Sequence, residues 1–315
     1  MTAPRPRIYY FSRIDPPALW RDALATQLGN DSFEFIVGPD CAAPQQIDIG
    51  LMYNLPPDGL GAFTNLRAVL SLSAGVNQFD RKRMPPGVPL ARSVDSSLAQ
   101  HIVGYAKAAV LRYHRRFHRY ERDSRAAVWR FEHPRLNAQS AVGVLGLGEL
   151  GSVVAAALSA EGFTVHGWSR SPRALAGVQT HAGADGLRQI AGAADILVNL
   201  LPLTDETHGI LSAALFAQMR QGSFVINMGR GGHLVEDDLL AALASGQLEA
   251  ATIDVATVEP LPAGHPFWSH PGILVTPHVG GITTAATAAP QLAENVRRAM
   301  RGERLLNQVD AERGY

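Results

Sequence analysis

The 315-residue sequence predicts an α/β protein of two domains, each organised on a parallel β-sheet. Three features carry that reading. Short apolar runs without alternation recur along the chain, as strands buried on both faces require, and helical or proline-rich stretches separate them. Residues 140–171, SAVGVLGLGELGSVVAAALSAEGFTVHGWSRS, spell one complete β-α-β unit with a glycine-rich turn. Near Pro89–Ser97 the pattern breaks, and a long helical stretch follows.

In the first domain the expected strands are Arg7–Ser12, Phe33–Val37, Ile47–Tyr53 and Ala68–Leu72, with a short fifth within 89–97. Asp95 and Ser96 are N-cap candidates for the helix that follows. Ile102, Ala106, Ala109, Val110, Tyr113, Phe117 and Tyr120 recur at helical spacing, which predicts one long helix with a buried face. Its other face carries Arg112, Arg115, Arg116, Arg119 and Arg122. Such a face reads as solvated or subunit-contacting, and as a polyanion site only if the whole chain were basic. His114 and His118 stand four apart, a metal-ligand spacing, but no Glu follows His114 and the arginines would repel a cation. No metal site is expected.

Within 140–171 the expected first strand, Ala141–Leu145, runs into Gly146-Leu147-Gly148-Glu149-Leu150-Gly151. In a GxGxxG turn the first glycine makes the bend, the second lets backbone approach a pyrophosphate, and the third lets helix pack on strand. Glu149 and Leu150 open the helix, whose N–H groups and dipole favour phosphate. Glycine turns also arise wherever a chain reverses, so the strand before, the helix after and the second strand, Phe163–Trp168, carry the dinucleotide reading. Beyond that strand stand Ser169, Arg170 and Ser171, where an NAD site usually has an acid for the ribose hydroxyls. A guanidinium and two hydroxyls can instead hydrogen-bond a 2′-phosphate, so NADP(H) is the preferred cofactor, with NAD(H) possible. The plainer reading leaves Arg170 stacked on adenine and Ser169 in the turn. Further strands are expected at Asp195–Leu201, Ser223–Asn227, Ala250–Asp254 and Ile273–Val275, then a helix over Ala285–Arg301 returning to the first domain and a tail, GERLLNQVDAERGY.

Hydrophobic residues make up 46% of the chain and mean hydropathy is zero, an ordinary balance for a soluble protein, and no stretch is long enough to span a bilayer. The N-terminus lacks the apolar segment of a signal peptide, and Cys41 is the only cysteine, so a cytoplasmic location is expected. Lys plus Arg and Asp plus Glu are equal at 28 each, which favours neither nucleic acid nor an anionic membrane as partner. A small molecule is the default.

Arg230, Glu259 and His278 each fall just past an expected strand, the edge where open α/β sheets bind ligands. Arg230 lies between glycines in NMGRGG, which lets the backbone turn and the guanidinium fork onto a carboxylate. Alone, each reads as a surface arginine, a loop acid or a turn histidine. Together they read as a site.

With these residues in view, the chain resembles the D-2-hydroxyacid dehydrogenase family, and within it a reductase group acting on glyoxylate and hydroxypyruvate. GLGELG, WSRS, NLLPLTDETHGI, NMGRGGHLVEDDLLAAL, EPLP, TPHVGG and the closing tail carry the resemblance over nearly the whole chain. It implies two Rossmann-like or flavodoxin-like parallel-sheet domains, a coenzyme domain at 98–283 inserted in a discontinuous substrate domain, 1–97 and 284–315. It also implies a homodimer, for which the segment Tyr113–Phe131 and Trp129 are candidates. Arg230 would bind the 2-oxo acid's carboxylate and polarise its ketone, His278 would protonate the carbonyl oxygen, and Glu259 would pair with His278. Asp254 would hold the nicotinamide carboxamide, and Leu200, Pro202, Thr207 and Met228 would line the cofactor groove. In the first domain Ala74, Gly75 and Val76 would offer backbone N–H groups to the substrate carboxylate. Tyr53 stands where the group has Trp, Asn77 where the family has Asp, and Ala256 where an aromatic is common; these departures bear on which 2-oxo acid fits. The alternatives are an NAD-dependent dehydrogenase of another D-2-hydroxy acid, such as 3-phosphoglycerate, and a dinucleotide-sensing corepressor or scaffold of the same fold. WSRS and the tail favour the reductase.

Overall fold

The computed structural model describes residues 5–76, 78–94 and 96–310, the side chain of Ser96 excepted. Asn77, the N-cap candidates' side chains and the last five residues of the tail lie outside the described residues. The chain divides into two compact units: the first runs to Leu98 and resumes at Ile282, and the second is Ala99–Gly281.

The first unit is a five-stranded parallel sheet in the order β2-β1-β3-β4-β5. Its strands are β1 (Arg7–Phe11), β2 (Glu34–Val37), β3 (Ile49–Met52), β4 (Ala68–Ser71) and β5 (Leu90–Ala91). Every residue of β3 and β4 is buried, which explains an apolar character broken only by Ser71 at the end of β4. Helix α1 (Pro17–Leu28) begins on a proline, whose missing N–H would have had no partner there, and ends at Gly29, whose positive φ of 97° favours a residue without a Cβ. Trp20 and Leu24 on α1 share one core with Leu292, Ala293 and Val296 of α8 (Ala285–Arg301), so the C-terminal helix does return to this unit. The tail is more than a tail: Ala91 bridges Gln308 antiparallel, and the Val309 amide donates to Leu90. That pairing covers the edge of β5, whose open N–H and C=O groups would otherwise invite another strand.

The second unit is a seven-stranded sheet, all parallel, in the order β12-β11-β10-β9-β6-β7-β8. Its strands are β6 (Ala141–Leu145), β7 (Thr164–Ser169), β8 (Gln179–Ala182), β9 (Ile196–Asn199), β10 (Ser223–Asn227), β11 (Leu248–Ile253) and β12 (Ile273–Val275). Strand order reverses between β6 and β9, and ligands bind such sheets beyond the strand C-termini at that point. Sequence reading passes over β8: its residues, QTHA, are exposed or half-buried at the sheet edge and show no apolar run.

The single long helix expected through Tyr120 is two helices, α2 (Ser96–His114) and α3 (Phe117–Arg125). Arg116 between them is left-handed at φ 59°, which interrupts the hydrogen-bond ladder. The buried stripe therefore stops at Tyr113, which stacks on Phe224 at 4.6 Å, and Phe117 is 55% exposed. The break also parts the two histidines: His114 Nδ1 meets Ser140 Oγ at 2.9 Å, while His118 Nε2 meets Glu249 at 2.8 Å. Among the described residues no cluster of His, Cys, Asp or Glu is arranged to hold a metal ion. Four of the arginines are engaged within the unit, Arg112 with Glu121, Arg116 with Glu132, Arg119 with Glu249 and Arg122 with Asp123. Burial pushes the Glu249 carboxyl up, but hydrogen bonds from His118 and Arg119 outweigh it and hold its pKa at about 2. No described helix is long and apolar enough to cross a membrane.

Candidate active site

At the end of β6 the glycine turn is set by close approach. Gly146 has φ 98°, and a Cβ on Gly151 would lie 1.7 Å from the Gly146 carbonyl oxygen. A Cβ on Gly148, by contrast, would meet nothing within 4 Å. Behind it α4 (Glu149–Ala160) starts without a side-chain cap, so the first-turn N–H groups of Glu149, Leu150 and Gly151 stand as a place for an anion. Sequence reading missed Arg173, whose Nη1 donates to the Leu147 carbonyl at 2.9 Å and ties the segment after β7 to this turn.

The WSRS residues part company. Ser169 is buried and its hydroxyl donates to the Ser171 carbonyl at 2.8 Å, so it shapes the turn. Arg170 is 79% exposed in its side chain and pairs with Glu206 at 3.2 Å. In the facing loop a Cβ on Gly146 would come 3.0 Å from the Leu200 backbone. The Thr207 hydroxyl donates to the Pro202 carbonyl at 2.7 Å and accepts from the Thr204 amide at 2.9 Å, which fastens this loop in shape.

Past β10, Asn199 donates to the side chain of Asn227, and Asn227 donates to the Arg230 carbonyl at 3.1 Å. A Cβ on Gly231 would lie 2.0 Å from the carbonyl carbon of Ala256, so only glycine lets this loop sit on the loop after β11. The Arg230 amide donates to His233 Nδ1 at 3.0 Å, and His233 Nε2 lies 3.2 Å from the Pro202 carbonyl. An amide can only donate, so Nδ1 carries the lone pair and the ring proton sits on Nε2. Burial lowers the pKa of His233, and the charge of Arg230 adds to it against two hydrogen bonds that raise it. Sequence reading assigned His233 no role, though it lies within NMGRGGHLVEDDLLAAL.

Asp254, just past β11, is buried. Its Oδ1 accepts from the Thr276 hydroxyl at 2.6 Å and the Val279 amide at 2.9 Å, and its Oδ2 from the Gly280 amide at 2.8 Å. Its carbonyl accepts the His278 amide at 2.8 Å. The carboxylate thus shapes the His278 loop, a task the sequence reading did not foresee. A Cβ on Gly280 would come 2.7 Å from Asp254 Oδ2 and 3.2 Å from the Met228 side chain. His278 itself is left-handed at φ 55°.

The structure brings His278 and Glu259 together. His278 Nδ1 lies 2.9 Å from Glu259 Oε2, and the Ala256 amide donates to Glu259 Oε1 at 2.9 Å. Burial pushes the Glu259 carboxyl up, but the His278 and Ala256 hydrogen bonds and the charges of His278 and Arg230 outweigh it and hold it below the ordinary glutamate range. With Nδ1 committed to Glu259, Nε2 is the ring nitrogen left to serve a substrate. A carboxylate-backed imidazole can exchange a proton with a carbonyl oxygen, and a guanidinium whose field reaches Glu259 can take a carboxylate.

In the first unit Ala74 and Gly75 are half-buried and Val76 is buried. The Ser73 hydroxyl donates to the Gly75 carbonyl at 2.7 Å. Gln78, which sequence reading missed, shares its amide N–H groups among the carbonyls of Tyr53 and Gly75 and the hydroxyl of Ser73, at 2.9 to 3.1 Å. It stitches Tyr53 to the loop.

A doubly wound unit with an uncapped helix behind a glycine turn, and with a carboxylate-backed histidine and an arginine at its strand ends, is the architecture of a dinucleotide-dependent oxidoreductase. This chain belongs to the D-isomer specific 2-hydroxyacid dehydrogenase family, whose NAD binding domain matches residues 107–280. It is 43% identical over 274 residues to a glyoxylate/hydroxypyruvate reductase A from Serratia proteamaculans, covering 85% of this chain and 88% of that protein. A glyoxylate/hydroxypyruvate reductase A from Klebsiella pneumoniae is 38% identical over 98% of this chain and 99% of its own. Among solved structures, a D-isomer specific 2-hydroxyacid dehydrogenase from Xanthobacter autotrophicus, in complex with NADPH and MES, superposes with a TM-score of 0.89 at 38% identity, covering 99% of this chain and 100% of that one. An NADPH-dependent glyoxylate/hydroxypyruvate reductase from Sinorhizobium meliloti, in complex with NADP and sulfate, gives 0.88 at 34%, covering 98% and 100%.

Proposed function

We propose that this chain reduces small 2-oxo acids, glyoxylate and hydroxypyruvate foremost, to 2-hydroxy acids with NADPH. The observation that carries the reading is the 2.9 Å pair of His278 and Glu259 at the strand ends that also present Arg230, in a chain related over its length to reductases of that name. The residues present fit the cofactor: the space before Gly148 and the uncapped start of α4 suit a pyrophosphate, and no acid follows β7 to repel a 2′-phosphate. When bound, NADPH supplies a hydride to the carbonyl carbon.

The chain's own residues do the rest. Arg230 forks onto the substrate carboxylate and draws charge toward the carbonyl oxygen. His278 gives its Nε2 proton to that oxygen, and Glu259, held ionised, offsets the charge on the ring while it waits. In the first unit Ala74, Gly75 and Val76 are the proposed backbone donors to substrate, with Tyr53 tied to their loop by Gln78. Leu200, Pro202, Thr207, Met228 and Asp254 shape the groove for the nicotinamide half, and Arg170 with Ser171 takes the 2′-phosphate. The coenzyme domain is 98–283 and the substrate domain 1–97 with 284–315, a division that the two compact units, parted after Leu98 and after Gly281, support. The enzyme works as a cytoplasmic homodimer through the coenzyme domain, where Trp129 is 98% and Phe131 73% exposed.

The test is a steady-state panel of 2-oxo acids with NADPH and NADH. Glyoxylate and hydroxypyruvate should lead with NADPH. A preference for NADH or for a larger acid makes the chain a different member of the family, and no turnover of any 2-oxo acid overturns the reading.

A further inference from the structure

We propose that Tyr105 is a positioning residue for His278, acting through Thr276 and Asp254. The inference rests on the reading of His278 as proton donor. Tyr105 lies on α2, and its hydroxyl is 2.5 Å from Thr276 Oγ1, 171 residues away. The direction of the chain follows from its end. Asp254 Oδ1 accepts from the Thr276 hydroxyl at 2.6 Å, so that proton is spent, and Thr276 Oγ1 can take Tyr105 only as a donor. The polarity is Tyr105 to Thr276 to Asp254.

Asp254 is where the chain meets the site. Its two oxygens hold the Val279 and Gly280 amides, and its carbonyl and that of Thr276 both accept the His278 amide, at 2.8 and 3.0 Å. His278 sits in a left-handed conformation that side chains seldom adopt, so its turn must be held from several sides at once. The Thr276 hydroxyl fixes which way the Asp254 carboxylate faces, and Tyr105 fixes the hydroxyl. Burial raises the pKa of Tyr105 well above the usual phenol range, so it stays a donor throughout the neutral range. Positioning of this kind acts on the transition state, where a small misplacement of the proton donor costs rate while leaving binding intact.

Tyr105→Phe removes only the hydroxyl. With NADPH and glyoxylate, kcat should fall about 3- to 10-fold, the change one hydrogen bond is worth, while KM and the Kd for NADPH hold. Thr276→Val should lose as much or more, Thr276→Ser should restore most of that loss, and Tyr105→Phe added to Thr276→Val should cost nothing further. Hydrogen exchange at the Val279 and Gly280 amides should speed up in Tyr105→Phe and Thr276→Val, a readout that needs no turnover. In an active parent, unchanged kcat in Tyr105→Phe, or independent losses that multiply in the double variant, overturns the proposal. If the parent reduces no 2-oxo acid, the functional reading fails and the amides alone decide: unchanged exchange overturns the positioning role, and faster exchange upholds the chain from Tyr105 to the His278 turn.

Discussion

The backbone amide of Arg230 donates to Nδ1 of His233 across 3.0 Å, and His233 is fully buried. One imidazole therefore holds the candidate carboxylate-binding arginine with one nitrogen and, with the other, the Pro202 carbonyl of the loop after β9. His233→Phe keeps a ring of similar bulk and strands both backbone groups, at about 1–3 kcal/mol each where they stay buried. The expected outcome is a KM for glyoxylate raised about tenfold or more, with a lower urea midpoint. His233→Gln should lie between. Parental kinetics in His233→Phe would show that Arg230 does not depend on this contact.

Buried histidines set the stability of the fold below neutrality. Burial lowers the pKa of His233, of His114 and of His166, the last aided by His181 and Arg220. A depressed folded value means that the unfolded chain binds the proton more readily, so their stabilisation is present above about pH 6.5 and is lost as pH falls through the folded values. Glu259 and Glu249 act lower, with losses beginning near pH 4.5 and reaching about pH 2 for Glu249. Urea unfolding from pH 8 to pH 3 should show both windows. His166→Asn should flatten the upper one, and Glu249→Gln the lower; a curve flat between pH 7 and 5 would contradict the histidine assignment.

The three site residues should fail in different ways. His278→Gln removes general acid catalysis, worth about 10²- to 10⁴-fold in kcat, and should leave NADPH affinity near parental. Arg230→Ala should raise KM as kcat falls, because it loses both the fork to the carboxylate and charge stabilisation at the carbonyl. Glu259→Gln should be milder, lowering kcat while KM stays near parental, because His278 Nδ1 keeps a partner of the same shape but loses the anion beside the ring. Steady-state kcat and KM of the three variants and the parent distinguish them, and near-parental kcat in His278→Gln would move the proton donor elsewhere.

Cofactor preference should rest on Arg170. Its exposed pair with Glu206 is a surface contact worth little, so a 2′-phosphate can recruit the guanidinium at small cost. NADPH should exceed NADH in kcat/KM, and Arg170→Ala should narrow the ratio about tenfold or more, the worth of a charged hydrogen bond. Glu206→Gln should leave the ratio nearly unchanged. A ratio untouched by Arg170→Ala would hand the phosphate to other groups, Arg173 being the nearest candidate on this segment.

By itself the sequence determined what is local. The parallel strands were legible because strands buried on both faces carry unbroken apolar runs, and the glycine turn because Gly146 and Gly151 stand where backbone leaves no space for a Cβ. Arg230, Glu259 and His278 were singled out because strand ends fall at one edge of a parallel sheet, and of the three the structure pairs His278 with Glu259. Tertiary structure decided the rest. Strand β8 exists because β7 offers its edge to a polar segment, and the break at Arg116 because Tyr113 and His118 are drawn to Phe224 and Glu249, neither visible in the helical period around them. The hydroxyl of Ser169 turns inward to its own loop and the carboxylate of Asp254 to the loop of His278, and His233 and Tyr105 matter through partners that no spacing rule records. Periodicity reports how a residue meets the nearest turn of chain. It is silent on a hydrogen bond such as Tyr105 to Thr276, which exists only once 171 residues of fold have brought its ends together.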